Sequence, residues 1–225
     1  MKLILFDVDG TLVDSQNIII AAQQRTFAAH GLEPPSRERA LSIVGLSLPE
    51  AFMALAGPKA PIESLVRTYK EVSITLRRDP AHAEPLFPGA GACIEMLRRR
   101  EDVLLGIATG NSQRGVARIV NHFGWHGVFS SIQTADDAPS KPHPGMILQA
   151  MRETGASPHD TVMVGDSSFD MGMARAAGVL GVGVSWGFQP VSALTEAGAG
   201  PIVHSYAELE TVLQEFLNTP SKISA

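Results

Sequence analysis

The sequence predicts an α/β protein, a doubly wound parallel-sheet core with an inserted all-helical domain. Three observations predict it. Short continuous apolar runs, each ended by a polar residue or glycine, recur along the chain and suit strands buried on both faces. Segments with helical spacing lie between most of them. One long stretch near the N-terminus has helical patterns and turn breakers only.

The first strand is expected at Leu3–Phe6. From about Ser15 to Glu84 no strand pattern occurs. Ile18, Ala21, Ala22, Arg25 and Phe27 begin an amphipathic helix ending near Gly31, and Pro34-Pro35, Pro49, Gly57-Pro58 and Pro61 punctuate shorter ones. Roughly 70 residues is too long for a simple crossover between strands. The expected organisation is therefore a core formed by 1–14 and 85–225, with 15–84 as a helical insert over the sheet's edge. Further strands are expected at Val103–Ala108, Thr161–Val164 and Val179–Ser185, with a weaker one in Val128–Thr134. Helices are expected at Gly115–Phe123, Gly145–Thr154 and Phe169–Ala177, and a frayed tail at Thr219–Ala225.

The totals narrow the function classes. With 225 residues the chain can bury a full core. A net charge of -5 argues against a broad field for nucleic acid, so an anionic ligand needs a local device. The single cysteine, Cys93, cannot form an internal disulfide, which fits a reducing compartment; it reads as a small helix-core residue. The N-terminal apolar run is cut by Asp7 and is too short for a signal or a membrane span, so the expected location is the cytoplasm, with no membrane partner.

Four stretches carry chemistry. Asp7 and Asp9 stand two apart at a strand end, where side chains share a direction and can reach one ligand; Gly10 and Thr11 allow a tight turn beside it. A polar strand end leading into a turn is the plainer reading. Thr109-Gly110-Asn111 follows a strand and offers either an anion nest or a helix N-cap. Lys141, between Ser140 and Pro142-His143-Pro144, is a fixed ammonium for phosphate or carboxylate, or a solvated loop lysine. Asp166 ends another strand and Asp170 lies one helical turn on, either facing the same space or forming an acidic first turn. Each stretch follows a strand, where such sheets bind ligands. Converging carboxylates repel one another and repel phosphate. A hard dication resolves both problems, and Mg²⁺ suits oxygen ligands near phosphate.

Together these stretches resemble the haloacid dehalogenase-like hydrolase superfamily. Asp7-Val8-Asp9-Gly10-Thr11 is similar to its first motif, Thr109 to the second, Lys141 to the third, and Asp166 with Asp170 to the fourth. Arg175–Gly178 through Ser185-Trp186-Gly187 resembles the phosphoglycolate phosphatase branch. The resemblance implies a Rossmann-like core with a helical cap and an Mg²⁺-dependent phosphatase working through an aspartyl-phosphate. It implies Asp7 as nucleophile and Asp9 as acid and base. Mg²⁺ would be held by Asp7, Asp9 through its backbone carbonyl, and Asp166, with Asp170 orienting the ion's water shell and Lys141. The phosphoryl group would sit on Thr109, Gly110, Asn111 and Lys141. An acid at position 9 favours phosphate esters over halides or phosphonates.

Gly45-Leu46-Ser47 resembles the cap loop that touches substrate, or is a helix connector. Arg37, Arg39, Lys59 and Arg67 either select a substrate anion or are solvated. The implied substrate is a small phosphorylated metabolite such as phosphoglycolate or a sugar phosphate. A phosphomutase of the β-phosphoglucomutase type, a pyrophosphatase and a non-enzymatic binder are the alternatives. The cap is expected to hinge near Ser15 and Glu84. Gly181-Val182-Gly183 lacks the third glycine of a dinucleotide fingerprint, and the seven histidines show no metal-ligand spacing.

Overall fold

A computed structural model of the protein describes residues 1–220; of the expected frayed tail, 221–225 lie outside the described residues. Strand β1 (Lys2–Phe6) is followed by four helices, α1 (Gln16–Ala29), α2 (Arg37–Ser42), α3 (Leu48–Ala56) and α4 (Ile62–Leu76). Then come α5 (Ala90–Leu97), β2 (Val103–Ala108), α6 (Gln113–Phe123), β3 (Ser131–Gln133), α7 (Gly145–Thr154), β4 (Thr161–Gly165), α8 (Ser168–Ala177), β5 (Leu180–Val184), α9 (Val191–Glu196), β6 (Ile202–Val203) and α10 (Tyr206–Asn218).

The strands form one parallel sheet in the order β3-β2-β1-β4-β5-β6. The period of two decides which face each side chain serves. Ile4 and Phe6 point to the cluster that holds Cys93 and Leu97 of α5, Ile119 of α6 and Leu213 of α10. Leu3 and Leu5 point to the opposite cluster, with Met146 and Ala150 of α7 and Met173 of α8. All five residues of β1 are buried: the apolar run Leu3–Phe6, and Lys2, whose ammonium pairs with Asp160 at 2.8 Å. Phe6 is in register with Ile107 and Val164, so β1, β2 and β4 run out side by side. Connections leave β1 toward β2 on one side and β4 joins on the other. The crevice beyond these carboxyl ends is thus the switch point where such sheets bind ligands.

Between β1 and β2 the described structure is helical, apart from isolated bridges and a one-turn helix at Pro80–His82. These helices have their own small cores. Phe27, Phe52, Leu55 and Leu65 form one, and Ile18, Ala22 and Leu76 another.

One expected strand is shorter than its apolar run, and one further strand carries no sequence signal. The weak strand at 128–134 keeps only Ser131–Gln133. Val128 and Phe129 instead pack against the core, with Phe129 edge-on to Trp125. Strand β6, two residues long, is below the length at which alternation gives a signal.

Candidate active site

β1 stops at Phe6, so Asp7 and Asp9 lie in the loop beyond it and not on the strand. A tight turn sets their directions: Gly10 takes φ +92° and its N–H bonds the Val13 carbonyl at 2.9 Å. Asp7 stays tied to the sheet through its N–H to the Val164 carbonyl, 2.9 Å. Both acids line one cavity of about 620 Å³ between the sheet's carboxyl edge and helices α1, α3 and α4.

Behind Asp7 stands a buried charge cluster. Lys141 Nζ lies 2.9 Å from Asp7 Oδ1 and 2.6 Å from Asp170 Oδ1, and all three side chains are essentially inaccessible. Asp170 is committed elsewhere as well, since its Oδ2 accepts from Ser167 N (3.1 Å) and Ser167 Oγ (2.6 Å) in a capping box at the start of α8. Both readings of Asp170 therefore hold: it caps its helix and faces the site. Asp166 accepts from Thr11 Oγ1 (3.2 Å) and from Phe188 N (2.8 Å). Asp7, Asp166 and Asp170 bring carboxylate oxygens within 4.8 Å of one another. Asp7 Oδ1 meets only the Lys141 ammonium, and its Oδ2 has no donor among the described residues.

Burial raises these acids. Asp7 is pushed up to about 7, with desolvation the largest cause and Lys141 opposing it. Desolvation also lifts Asp166 well above the carboxylate range, reinforced by Asp7 and Asp170. For Lys141, desolvation alone would lower its basicity, but Asp170 and Asp7 together hold it above the ordinary lysine value. Three carboxylates against one ammonium leave an excess of negative charge that a dication would neutralise.

Asp9 stands apart from that triad. Its Oδ2 accepts from Asn111 Nδ2 at 3.1 Å, and burial raises it too. Thr109 follows β2, its N–H on the Gln133 carbonyl (3.0 Å) and its Oγ1 accepting from Asn111 N (3.2 Å). Ser112, not Thr109 or Asn111, caps α6 by accepting from Gly115 N. Thr109 and Asn111 are left facing the cavity with Gly110.

The loop Gly45-Leu46-Ser47 closes over this second motif. A β-carbon on Gly110 would lie 2.6 Å from the Leu46 carbonyl oxygen, so only glycine lets the two backbones meet. Ser47 N–H bonds Ser140 Oγ at 2.9 Å, next to Lys141, and Gln189 Nε2 bonds the Ser42 carbonyl at 2.9 Å. Gly45, with φ +107°, lines the cavity itself.

A family model described as haloacid dehalogenase-like hydrolase matches residues 4–184. The chain belongs to this family. It is 30% identical over 214 residues to a pyrophosphatase PpaX of Oceanobacillus iheyensis, covering 95% of this chain and 97% of that protein. It is also 30% identical over 219 residues to a phosphoglycolate phosphatase of Chromobacterium violaceum, covering 95% and 97%. A crystal structure of a hydrolase from Pseudomonas syringae superposes with a TM-score of 0.84 at 26% identity, covering 96% of this chain and 99% of that one. This haloacid dehalogenase-like hydrolase is thus similar to the phosphoglycolate phosphatase branch and is a hydrolase acting on phosphate esters.

Several cavity residues of this hydrolase carry no signal in the sequence. Arg77 at the end of α4 and Arg118 on α6 both pair with Glu84, at 3.1 and 2.9 Å. Tyr69, Ser73 and Gln23 come from cap helices whose spacing reports only an apolar face. Arg37, Arg39, Lys59 and Arg67 do not line the cavity. Arg37 bonds Gln16, and Arg39 covers the last carbonyls of α3 through Leu55 O at 3.0 Å. No helix among the described residues is long and apolar enough to cross a membrane.

Proposed function

We propose that the protein is an Mg²⁺-dependent phosphatase that hydrolyses a small phosphate monoester through an aspartyl-phosphate on Asp7. The observation that carries this reading is Asp7 itself. It is a buried carboxylate whose Oδ1 is held by the Lys141 ammonium and whose Oδ2 has no donor among the described residues, and it lines the cavity where Asp9 and the Thr109-Gly110-Asn111 turn converge.

The residues fit a hard dication. Asp7, Asp166 and Asp170 gather oxygens around one point, with a charge excess and an Asp7 Oδ2 that has no donor among the described residues. Glycine at positions 10 and 187 leaves the room that Asp166 fills. Asp7, Asp166 and the Asp9 backbone carbonyl would hold Mg²⁺, and Asp170, already bound to Lys141 and Ser167, would position them. The ion when bound supplies charge neutralisation for phosphate.

The chain's own groups do the rest. Lys141, Thr109 Oγ1 and the N–H groups of Gly110 and Asn111 hold the phosphoryl oxygens. An oxygen of Asp7 attacks phosphorus as the ester P–O bond breaks, and Asp9 gives its proton to the leaving oxygen. Burial supports that role because it keeps Asp9 protonated further up the pH scale. Asp9, now a carboxylate, then takes a proton from the water that attacks the phospho-aspartate. Phosphate leaves and Asp7 is restored.

Relatives named as phosphoglycolate phosphatase and pyrophosphatase support a small phosphorylated metabolite as partner, with sugar phosphates chemically equivalent. The single reduced Cys93 and the absence of a broad cationic charge support a cytoplasmic enzyme that does not act on nucleic acid. The test is phosphate release from a panel of phosphorylated metabolites with Mg²⁺ and with EDTA. Release that stops in EDTA and in Asp7→Asn is expected; release that persists in either overturns the reading.

A further inference from the structure

The cap wall of the cavity is apolar. Ile43, Leu48, Ala51, Phe52, Leu55 and Tyr69 form much of it. The whole space, about 620 Å³, has the volume of roughly twenty waters. Pyrophosphate or phosphoglycolate, seated by its phosphoryl group at Asp7, would leave most of that wall against water.

The inner cations are also engaged. Glu84 takes Arg77 through its Nε and Arg118 through its Nη2, so both share one carboxylate, and the buried Nε of Arg118 has no partner among the described residues. Lys70 and Arg114 are exposed at the rim. A carboxylate or second phosphate carried inward would be desolvated against hydrocarbon, which is unfavourable without a paired cation.

Two buried polar side chains, Ser73 and Gln23, break the apolar wall. Gln23, 3% exposed, donates through Nε2 to the Ala40 carbonyl at 3.2 Å. A carbonyl can only accept, so this bond fixes which way the amide points. Gln23 Oε1 is therefore a buried acceptor, in a cavity-lining side chain, without a donor among the described residues. Such an atom is costly until a donor reaches it.

We infer that the substrate is the phosphate monoester of an alcohol with an apolar body and a hydroxyl or amine group, the body lying on the cap wall and its donor bonded to Gln23 Oε1. This rests on the phosphatase reading above and narrows it.

The test uses five probes and the full-length protein with Mg²⁺. These are phosphoglycolate, inorganic pyrophosphate, phenethyl phosphate, and phenethyl phosphate hydroxylated at the meta or para ring position. Expected is a kcat/KM for phenethyl phosphate at least tenfold above phosphoglycolate and pyrophosphate, with the better hydroxylated isomer gaining tenfold more. Gln23→Met is expected to bring the ratio of hydroxylated to plain probe to about one. Gln23→Glu loses the same bond to Ala40 but keeps an acceptor, and is expected to keep the preference. If phosphoglycolate or pyrophosphate is the better substrate, the inference is overturned while the phosphatase reading stands. A hydroxyl gain that is absent, or that survives Gln23→Met, overturns the role of Gln23. No phosphate from any probe overturns the phosphatase reading itself. Should the Met variant not fold, the wild-type series decides.

Discussion

Gly10 lies so close to the Asp166 carboxylate that a β-carbon there would overlap it. The two residues are far apart in sequence, and their contact seats the fourth motif against the first. Gly10 also takes φ +92°, a conformation that L side chains avoid. Gly10→Ala is therefore expected to act twice. It strains the turn by about 1–3 kcal/mol and pushes Asp166 out of the carboxylate triad. Urea unfolding should show the first loss and a weakened Mg²⁺ titration of activity the second. An unchanged titration would mean that Asp166 does not need its present place.

Asp7 pays for its position in desolvation. Burial carries it up to about 7, against an ordinary 3.8. Asn at that position keeps the shape and removes the charge. Asp7→Asn is expected to abolish phosphate release, yet raise the melting temperature of the ion-free protein at pH 8 by several degrees. A variant that is both inactive and less stable would point to a structural role for the carboxylate.

The same shift sets a pH dependence. Because the folded value lies above the unfolded one, the folded protein holds a proton that the unfolded chain has released between about pH 4 and pH 7. Stability of the ion-free protein should fall as pH rises through that window. Asp166, raised in the same direction, adds to the fall. Mg²⁺ needs the deprotonated acids, so its stabilising effect should grow with pH. The rise in melting temperature on adding Mg²⁺ is expected to be several degrees larger at pH 8 than at pH 5.5. Equal rises would remove these acids from the ion's ligand set.

Lys141 is the counter-charge of the cluster, and removing one partner of a buried ionic group is far costlier than never having had it. Lys141→Met leaves Asp7 and Asp170 facing each other without a cation. A loss of about 3–5 kcal/mol is expected at pH 8, smaller at pH 5 where protonation relieves the repulsion. Chemical denaturation at the two pH values measures it.

Much of this was legible in sequence because the informative residues are local. Apolar runs such as Leu3–Phe6, short and ended by a polar residue or glycine, suit buried strands, and Asp7, Thr109 and Asp166 each follow one at once. Parallel strands in register then bring their ends together. Strand periodicity does not orient Asp7 and Asp9, since the strand ends before them and the Gly10 turn directs both. Gln23, Arg77 and Arg118 were not legible, because helix spacing says that a face is buried and not what it meets. Their roles come from cap packing, which depends on contacts such as Gln23 with Ala40 and Ser47 with Ser140.

Glu84 joins the two parts of the molecule. It sits where the chain returns from the helical insert, its side chain 8% exposed, and it pairs with Arg77 on the cap side and Arg118 on α6. The arginines are partly solvated, so each pair alone contributes modestly, about 1 kcal/mol or less. Sharing one carboxylate makes them interdependent, because its loss leaves two guanidinium groups side by side. Glu84→Gln is expected to destabilise more than Arg118→Gln does, and the double variant to be more stable than the sum of the single losses predicts. A double-mutant cycle on denaturation midpoints measures that coupling, expected at about 1 kcal/mol. Strict additivity would show that Glu84 and Arg118 do not hold cap and core together.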